Sequence, residues 1–128
     1  MKNTTKITLV FLILILFFVW VSVAKSPNDP YVHTYFLNVG QGDSILIEKG
    51  DFQVLIDGGP DDTVLSELGK AMPIYDRKIE IVILTHPHAD HLTGLNLVLD
   101  RYQVEKIYGT GVLYETNPYL NFLNKINN

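Results

Sequence analysis

Two hydrophobic patterns divide this chain near residue 24. From Ile7 to Ala24 the sequence ITLVFLILILFFVWVSVA carries no charge, and only Thr8 and Ser22 are polar. No polar face interrupts it, so it predicts a helix that is apolar on every side. Such a helix would extend about 27 Å at ~1.5 Å per residue, close to the ~30 Å hydrocarbon core of a bilayer. Lys2 and Lys6 precede it, which keeps the N-terminus cytoplasmic and sends the rest across. Residues 1–24 are therefore expected to be one transmembrane or signal helix. Ser22-Val23-Ala24 offers the small-x-small pattern of a cleavage site, whereas the run is longer than the usual ~7–15 apolar residues of a signal peptide, which favours a retained anchor. The expected localisation is a membrane-anchored extracytoplasmic domain, or a secreted one if the helix is cleaved.

Residues 25–30, Lys25-Ser26-Pro27-Asn28-Asp29-Pro30, read as a linker, and residues 31–128 as one domain with shorter periods. Tyr31–Val39 and Ser44–Glu48 are strand-like, rich in aromatic and β-branched residues, with Gly40-Gln41-Gly42-Asp43 between them. Lys49-Gly50-Asp51 is a hairpin turn, and Phe52–Ile56 a third strand of an antiparallel meander. The pattern then changes. Asp61, Asp62 or Thr63 caps a short helix with Val64, Leu65 and Leu68 on one face. Ile79–Thr85 is a near-continuous apolar run, which predicts a strand covered on both faces. A helix from Leu92 to about Arg101, a strand from Val104 to Tyr108 and a last helix opening at Pro118 complete the series. Strands first, then alternating helix and strand, give a mixed α/β (α+β) layer architecture. Asn124–Asn128 offers no closing strand, so the chain reads as stopping in mid-architecture.

Charge and composition narrow the chemistry. Beyond residue 24 there are eight basic against 14 acidic residues, a formal −6, with no basic patch. No preformed nucleic-acid surface is therefore expected. The absence of cysteine excludes disulfides, a cysteine nucleophile and a thiolate metal site.

Three of the 4 histidines stand within His86-Pro87-His88-Ala89-Asp90-His91, just beyond the apolar run. α/β sheets place their ligand sites beyond such strand ends. Neutral imidazoles and a carboxylate suit zinc-type divalent ions. His86 and His88, two apart in an extended segment, leave on the same side and can grip one ion. Asp90 and His91 come at the turn into the helix and are placed for a second. Two ions ~3.5–4 Å apart can clamp the attacking and leaving oxygens of a hydrolysed bond. A bound ion also lowers the pKa of water toward ~7. Lone His33, within a strand, reads as structural or surface. Gly40-Gln41-Gly42-Asp43 lacks the Lys-Ser/Thr ending of a phosphate loop; a tight turn or a close backbone approach explains its glycines equally well.

Thr85-His86-Pro87-His88-Ala89-Asp90-His91 resembles the His-x-His-x-Asp-His signature of the metallo-β-lactamase fold. Leu37–Ser44 (LNVGQGDS) and Leu55–Gly59 (LIDGG) look like the two blocks that precede it. Their order is especially similar to the extracytoplasmic hydrolase domain of ComEC competence proteins. The resemblance spans about residues 33–108. It implies an αββα sandwich, of which this chain would hold the N-terminal half. It also implies two divalent metal ions, zinc or else manganese, with His86 and His88 on the first and Asp90 and His91 on the second. Asp90 would be the catalytic residue that holds or deprotonates the attacking water. Asp57 would support the metal loop by hydrogen bonding and so fix ligand orientation. The implied function is a hydrolase cleaving phosphodiester bonds, with DNA as a substrate, outside the cytoplasm. The implied partners are the membrane, through the N-terminal helix, and a nucleic-acid or other phosphodiester substrate; no partner protein is indicated.

The sequence departs from that family in two places. Asn38 stands where many ComEC-type domains have aspartate. The family's remaining ligands come from the second half of its fold, whereas no histidine follows His91 here and Asp100 falls on the following helix. Each ion would keep two protein ligands, where zinc sites take three or four, and half a sandwich would leave one apolar sheet face open. The alternative reading is a truncated, catalytically silent fragment that binds metal weakly or acts as an interaction module.

Overall fold

A computed structural model describes residues 2–23 and 30–127, with side chains over 6–21 and 30–127. The chain divides into two compact units, Met1–Pro30 and Tyr31–Asn128.

The first unit contains one helix, α1 (Lys2–Val23). It forms where the apolar run predicts it, and its side chains from Lys6 to Val21 are exposed on all sides. Among the described residues no helix is long and apolar enough to cross a membrane, so the expected transmembrane helix is not supported there. The side chains of Ser22 and Val23, Ala24 and linker residues 25–29 lie outside the described residues.

The second unit is a five-stranded sheet in the order β1-β2-β3-β4-β5, one strand after the next. β1 (His33–Phe36), β2 (Ile45–Lys49) and β3 (Phe52–Ile56) form the expected antiparallel meander. β2 and β3 are joined through Gly50-Asp51, with Lys49 opposite Phe52. β4 (Lys78–Leu84) and β5 (Gln103–Gly109) pair parallel to β3 and to each other. Parallel pairing requires crossovers, and α2 (Thr63–Ala71) and α3 (Ala89–Arg101) supply them. α4 (Asn117–Ile126) packs beside α3, where the Asn96 amide donates to the Pro118 carbonyl at 3.0 Å.

β1 is shorter than the apolar pattern suggests. Leu37 and Val39 turn into the core; the Leu37 N–H still donates to the Ser44 carbonyl at 2.9 Å, and beyond it the Val39 N–H donates to the Leu37 carbonyl at 3.0 Å. α3 starts three residues earlier than expected, at Ala89, so Asp90 and His91 lie inside its first turn. Its buried stripe of Leu92, Leu95 and Val98 meets Val64 and Leu68 of α2 and Leu46, Leu55, Val82 and Leu84 of the sheet. Each such leucine contributes roughly 2–3 kcal/mol by leaving water.

All three helices share one face of the sheet, which corrects the expectation that β4 is covered on both. Across the other face runs a row of aligned residues, Phe36, Ile45, Ile56, Ile83 and Tyr108, one per strand. The isoleucines are half-buried by their neighbours, while Phe36 and Tyr108 at the two ends are exposed. The apolar run from Ile79 to Leu84 thus reflects an inner face under helices and an outer apolar face without them.

Candidate metal centre

Parallel strands deliver their C-terminal ends to one edge of a sheet, and here β3 and β4 deliver Asp57 and Thr85-His86. The ladder continues one residue past β3, since the Asp57 N–H donates to the Ile83 carbonyl at 2.9 Å. The backbone then turns at Asp57 into the left-handed region (φ 56°), a conformation that aspartate tolerates better than most side chains. Asp57 is fully buried. Its Oδ1 accepts the Thr85 N–H at 2.9 Å, and its Oδ2 accepts the Thr85 hydroxyl at 2.6 Å.

Two backbone bonds clamp the loop after Asp57 onto α3. The Gly58 N–H donates to the His91 carbonyl at 2.7 Å, and the Gly94 N–H to the Gly59 carbonyl at 3.0 Å. This approach requires glycine: a Cβ on Gly94 would stand 1.9 Å from the Gly58 oxygen. The clamp holds the first turn of α3, and with it His91, against Asp57. His91 Nδ1 lies 2.9 Å from Asp57 Oδ2.

The rings of His86 and His91 come to 3.8 Å between centroids, and those of His86 and His88 to 4.7 Å. Asp57, His86 and His91 can together hold a metal ion, each offering one ligand atom, all within 4.8 Å of one another. An ionised carboxylate accepts only, so His91 Nδ1 is the donor of this contact, and Nε2 is the ring's other nitrogen. That nitrogen faces Asp90, whose Oδ1 is 3.9 Å away, beyond hydrogen-bond range.

Asp90 is supported by the glycine loop. At Gly42 (φ 82°) an added Cβ would stand 1.9 Å from the Asp90 carbonyl oxygen. The loop between β1 and β2 therefore presses its backbone against the start of α3, so Gly42 provides a close approach as well as a turn.

Of the residues singled out from sequence, Asp57, His86 and His91 form one group. His88, exposed, and Asp90, partly exposed, stand beside it without joining it at that distance. His33 is on β1 with its ring 6.2 Å from Tyr35 and is not in the group. Two residues at this edge were given no role from sequence. Thr85 links Asp57 to His86, its hydroxyl 2.9 Å from His86 Nδ1; the signal was a hydroxyl residue directly before the first histidine. Tyr114, in the loop after β5, places its ring 5.7 Å from that of His88, and no local pattern marks it. A cleft of about 720 Å³ is lined by Leu99, Tyr102, Ile107 and Lys125 among others. It lies at the last turn of α3, the opposite end from the histidines, and holds no comparable donor set.

The sequence profile of the metallo-beta-lactamase superfamily matches residues 37–123. A stretch of 71 residues, 56% of this chain, is 41% identical to microtubule-associated protein 1A from Rattus norvegicus, Mus musculus and Homo sapiens. It spans 2% of the length of those proteins. Among solved structures, Rm3 metallo-beta-lactamase is similar at 29% identity with a TM-score of 0.47, over 54% of this chain and 26% of that one.

Proposed function

The chain belongs to the metallo-beta-lactamase superfamily, and from that premise we propose that its histidine edge is the metal-binding part of a metal-dependent hydrolase. The observation that carries this reading is the convergence of Asp57, His86 and His91 at the C-terminal ends of two parallel strands. The donor set fits a divalent ion of the zinc or manganese type, being imidazole and carboxylate without thiolate.

His86 and His88 would hold a first ion, and Asp90 and His91 a second. Asp57 is close enough to be a ligand, but its oxygens already accept the Thr85 N–H, the Thr85 hydroxyl and the His91 ring. It therefore acts from behind the rings, fixing their direction. A divalent ion held there would act as a Lewis acid and lower the pKa of water toward ~7. Asp90, partly exposed on the first turn of α3, is the group that would orient the attacking water or take its proton. Tyr114 forms a wall of the same site beside His88.

The proposed substrate class is a phosphodiester, DNA included, on the ComEC-like order of LNVGQGDS, LIDGG and THPHADH. The proposed location is extracytoplasmic, with α1 attaching the chain to a membrane through its uncharged run. The full gene product, loaded with zinc or manganese, should hydrolyse bis(p-nitrophenyl) phosphate and lose that activity in Asp90→Asn. A protein that takes up stoichiometric metal but spares this diester and DNA alike removes the substrate class. A protein that takes up no metal removes the hydrolase reading.

A further inference from the structure

The Thr85 hydroxyl stands between a buried carboxylate and a histidine ring. Its oxygen is 2.6 Å from Asp57 Oδ2 and 2.9 Å from His86 Nδ1, while its own N–H occupies Asp57 Oδ1 at 2.9 Å. A hydroxyl has one proton and two lone pairs, and an ionised carboxylate has no proton to give. The hydroxyl proton therefore points to Asp57, because two oxygens 2.6 Å apart repel unless a proton lies between them, and the carboxylate has none to offer. The lone pairs face His86, and the 2.9 Å contact is attractive only when His86 Nδ1 carries the proton.

We infer that Thr85 is a positioning residue that relays the charge of Asp57 to His86 and fixes its Nδ1–H tautomer, turning Nε2 outward as a lone pair. Asp57 does the same to His91 directly, at 2.9 Å. One buried carboxylate thus sets both rings, one through a hydroxyl and one without. Hydrogen bonds in such a chain polarise one another, so the relay aligns His86 before any ligand arrives. Valine at position 85 keeps the shape and removes the relay; serine keeps the relay and removes only a methyl group.

The consequence for metal rests on the hydrolase reading above, but the tautomer does not, and it is measured without metal. Long-range ¹H–¹⁵N spectra of the metal-free protein, ¹⁵N-labelled at histidine and held near pH 8, report which ring nitrogen carries the proton. His86 is expected as Nδ1–H in the native protein and in Thr85→Ser, and as a tautomer mixture in Thr85→Val, with His91 as Nδ1–H in all three. Zinc affinity by chelator competition should fall about 10–100-fold in Thr85→Val and stay within about threefold in Thr85→Ser. If Thr85→Val does not fold, by circular dichroism and by the His91 signal, Thr85→Ala takes its place with the same expectation. His86 as Nε2–H in the native protein, or unchanged in the variant lacking the hydroxyl, overturns the relay. The expected tautomers in a protein that binds no zinc uphold the relay and overturn the metal reading instead.

Discussion

Asp57 and Glu80 are buried carboxylates on neighbouring parallel strands, at opposite ends of the sheet. Glu80, near the start of β4, accepts the Gln53 N–H at 2.7 Å, and the Lys78 ammonium stands 3.1 Å from it. Lys78 in turn reaches Glu105 on β5 at 2.8 Å, and the Gln53 amide donates to Asp76 at 3.0 Å. Gln53 precedes the first β3–β4 pair, Val54 with Ile81, so the Glu80 carboxylate supplies an acceptor where the ladder does not reach. This end is closed: its charge is met by a lysine and by backbone. Asp57 is met by the Thr85 N–H and hydroxyl and by the His91 ring, and the imidazoles turn their remaining nitrogens away from it. The same residue chemistry, buried in both places, braces a strand at one end and aims ligands at the other. Burial of a charge is thus no mark of a site; what its partners do with their other atoms is.

The contrast can be broken at four levels. The largest effect is expected from Gly94→Ala, which drives a methyl group into the Gly58 carbonyl. Backbone cannot yield cheaply, and a loss of about 3 kcal/mol or more by urea unfolding is expected. By contrast Gly69→Ala in α2, where an added Cβ meets nothing within 4 Å, should stabilise by about 0.5–1 kcal/mol.

Next come the two carboxylates themselves. Asp57→Asn keeps the left-handed backbone, which asparagine also accepts, but loses an acceptor; zinc affinity should fall about 10–100-fold. Glu80→Gln should leave that affinity within about threefold while lowering the unfolding midpoint. Equal losses of affinity from both would show that the metal end depends on general stability rather than on Asp57.

Acid should then act on the closed end. Burial opposes ionisation of Glu80, yet the Gln53 N–H and the Lys78 ammonium together outweigh it and hold its carboxyl below the ordinary glutamate value of 4.5. A carboxylate whose folded pKa is depressed stabilises the fold fully above its unfolded pKa, and that contribution disappears as pH falls through the lower folded value. Glu80→Gln should therefore cost stability at pH 7 and cost progressively less below about pH 4.5 in urea titrations. The smallest effect belongs to Lys78→Met. This exposed ammonium, whose pKa is raised by Glu105 and then Glu80, is screened by salt. At 0.5 M salt its unfolding midpoint should match that of the native protein.

Much of this was legible along the chain because local signals agreed with the fold. The alternation in Phe52–Ile56, the Gly50-Asp51 turn and the apolar run after Ile79 mark β2, β3 and β4 in the places where they occur. The histidine cluster was legible for the same reason, being contiguous. What was not legible depends on partners distant in sequence. Glu80 and Gln53 are buried polar residues inside strands, and only the β3–β4 pairing explains them. The outer apolar row from Phe36 to Tyr108 needs four registers at once, so β4 read alone implied cover on both faces. Thr85 gains its meaning only when Asp57, 28 positions earlier, is folded beneath it. Tyr114 reaches His88 because β5 runs parallel to β4 and ends at the same edge.

The most direct test of a metal centre at the Asp57 end is zinc binding by the intact chain, measured by chelator competition with elemental analysis of the dialysed protein. His86→Ala and His91→Ala are compared with Glu80→Gln. Stoichiometric zinc in the native protein and in Glu80→Gln, with at least a tenfold loss of affinity in each histidine variant, is the expected result. Zinc retained with unchanged affinity in His86→Ala and His91→Ala, or absent from the native protein, contradicts it.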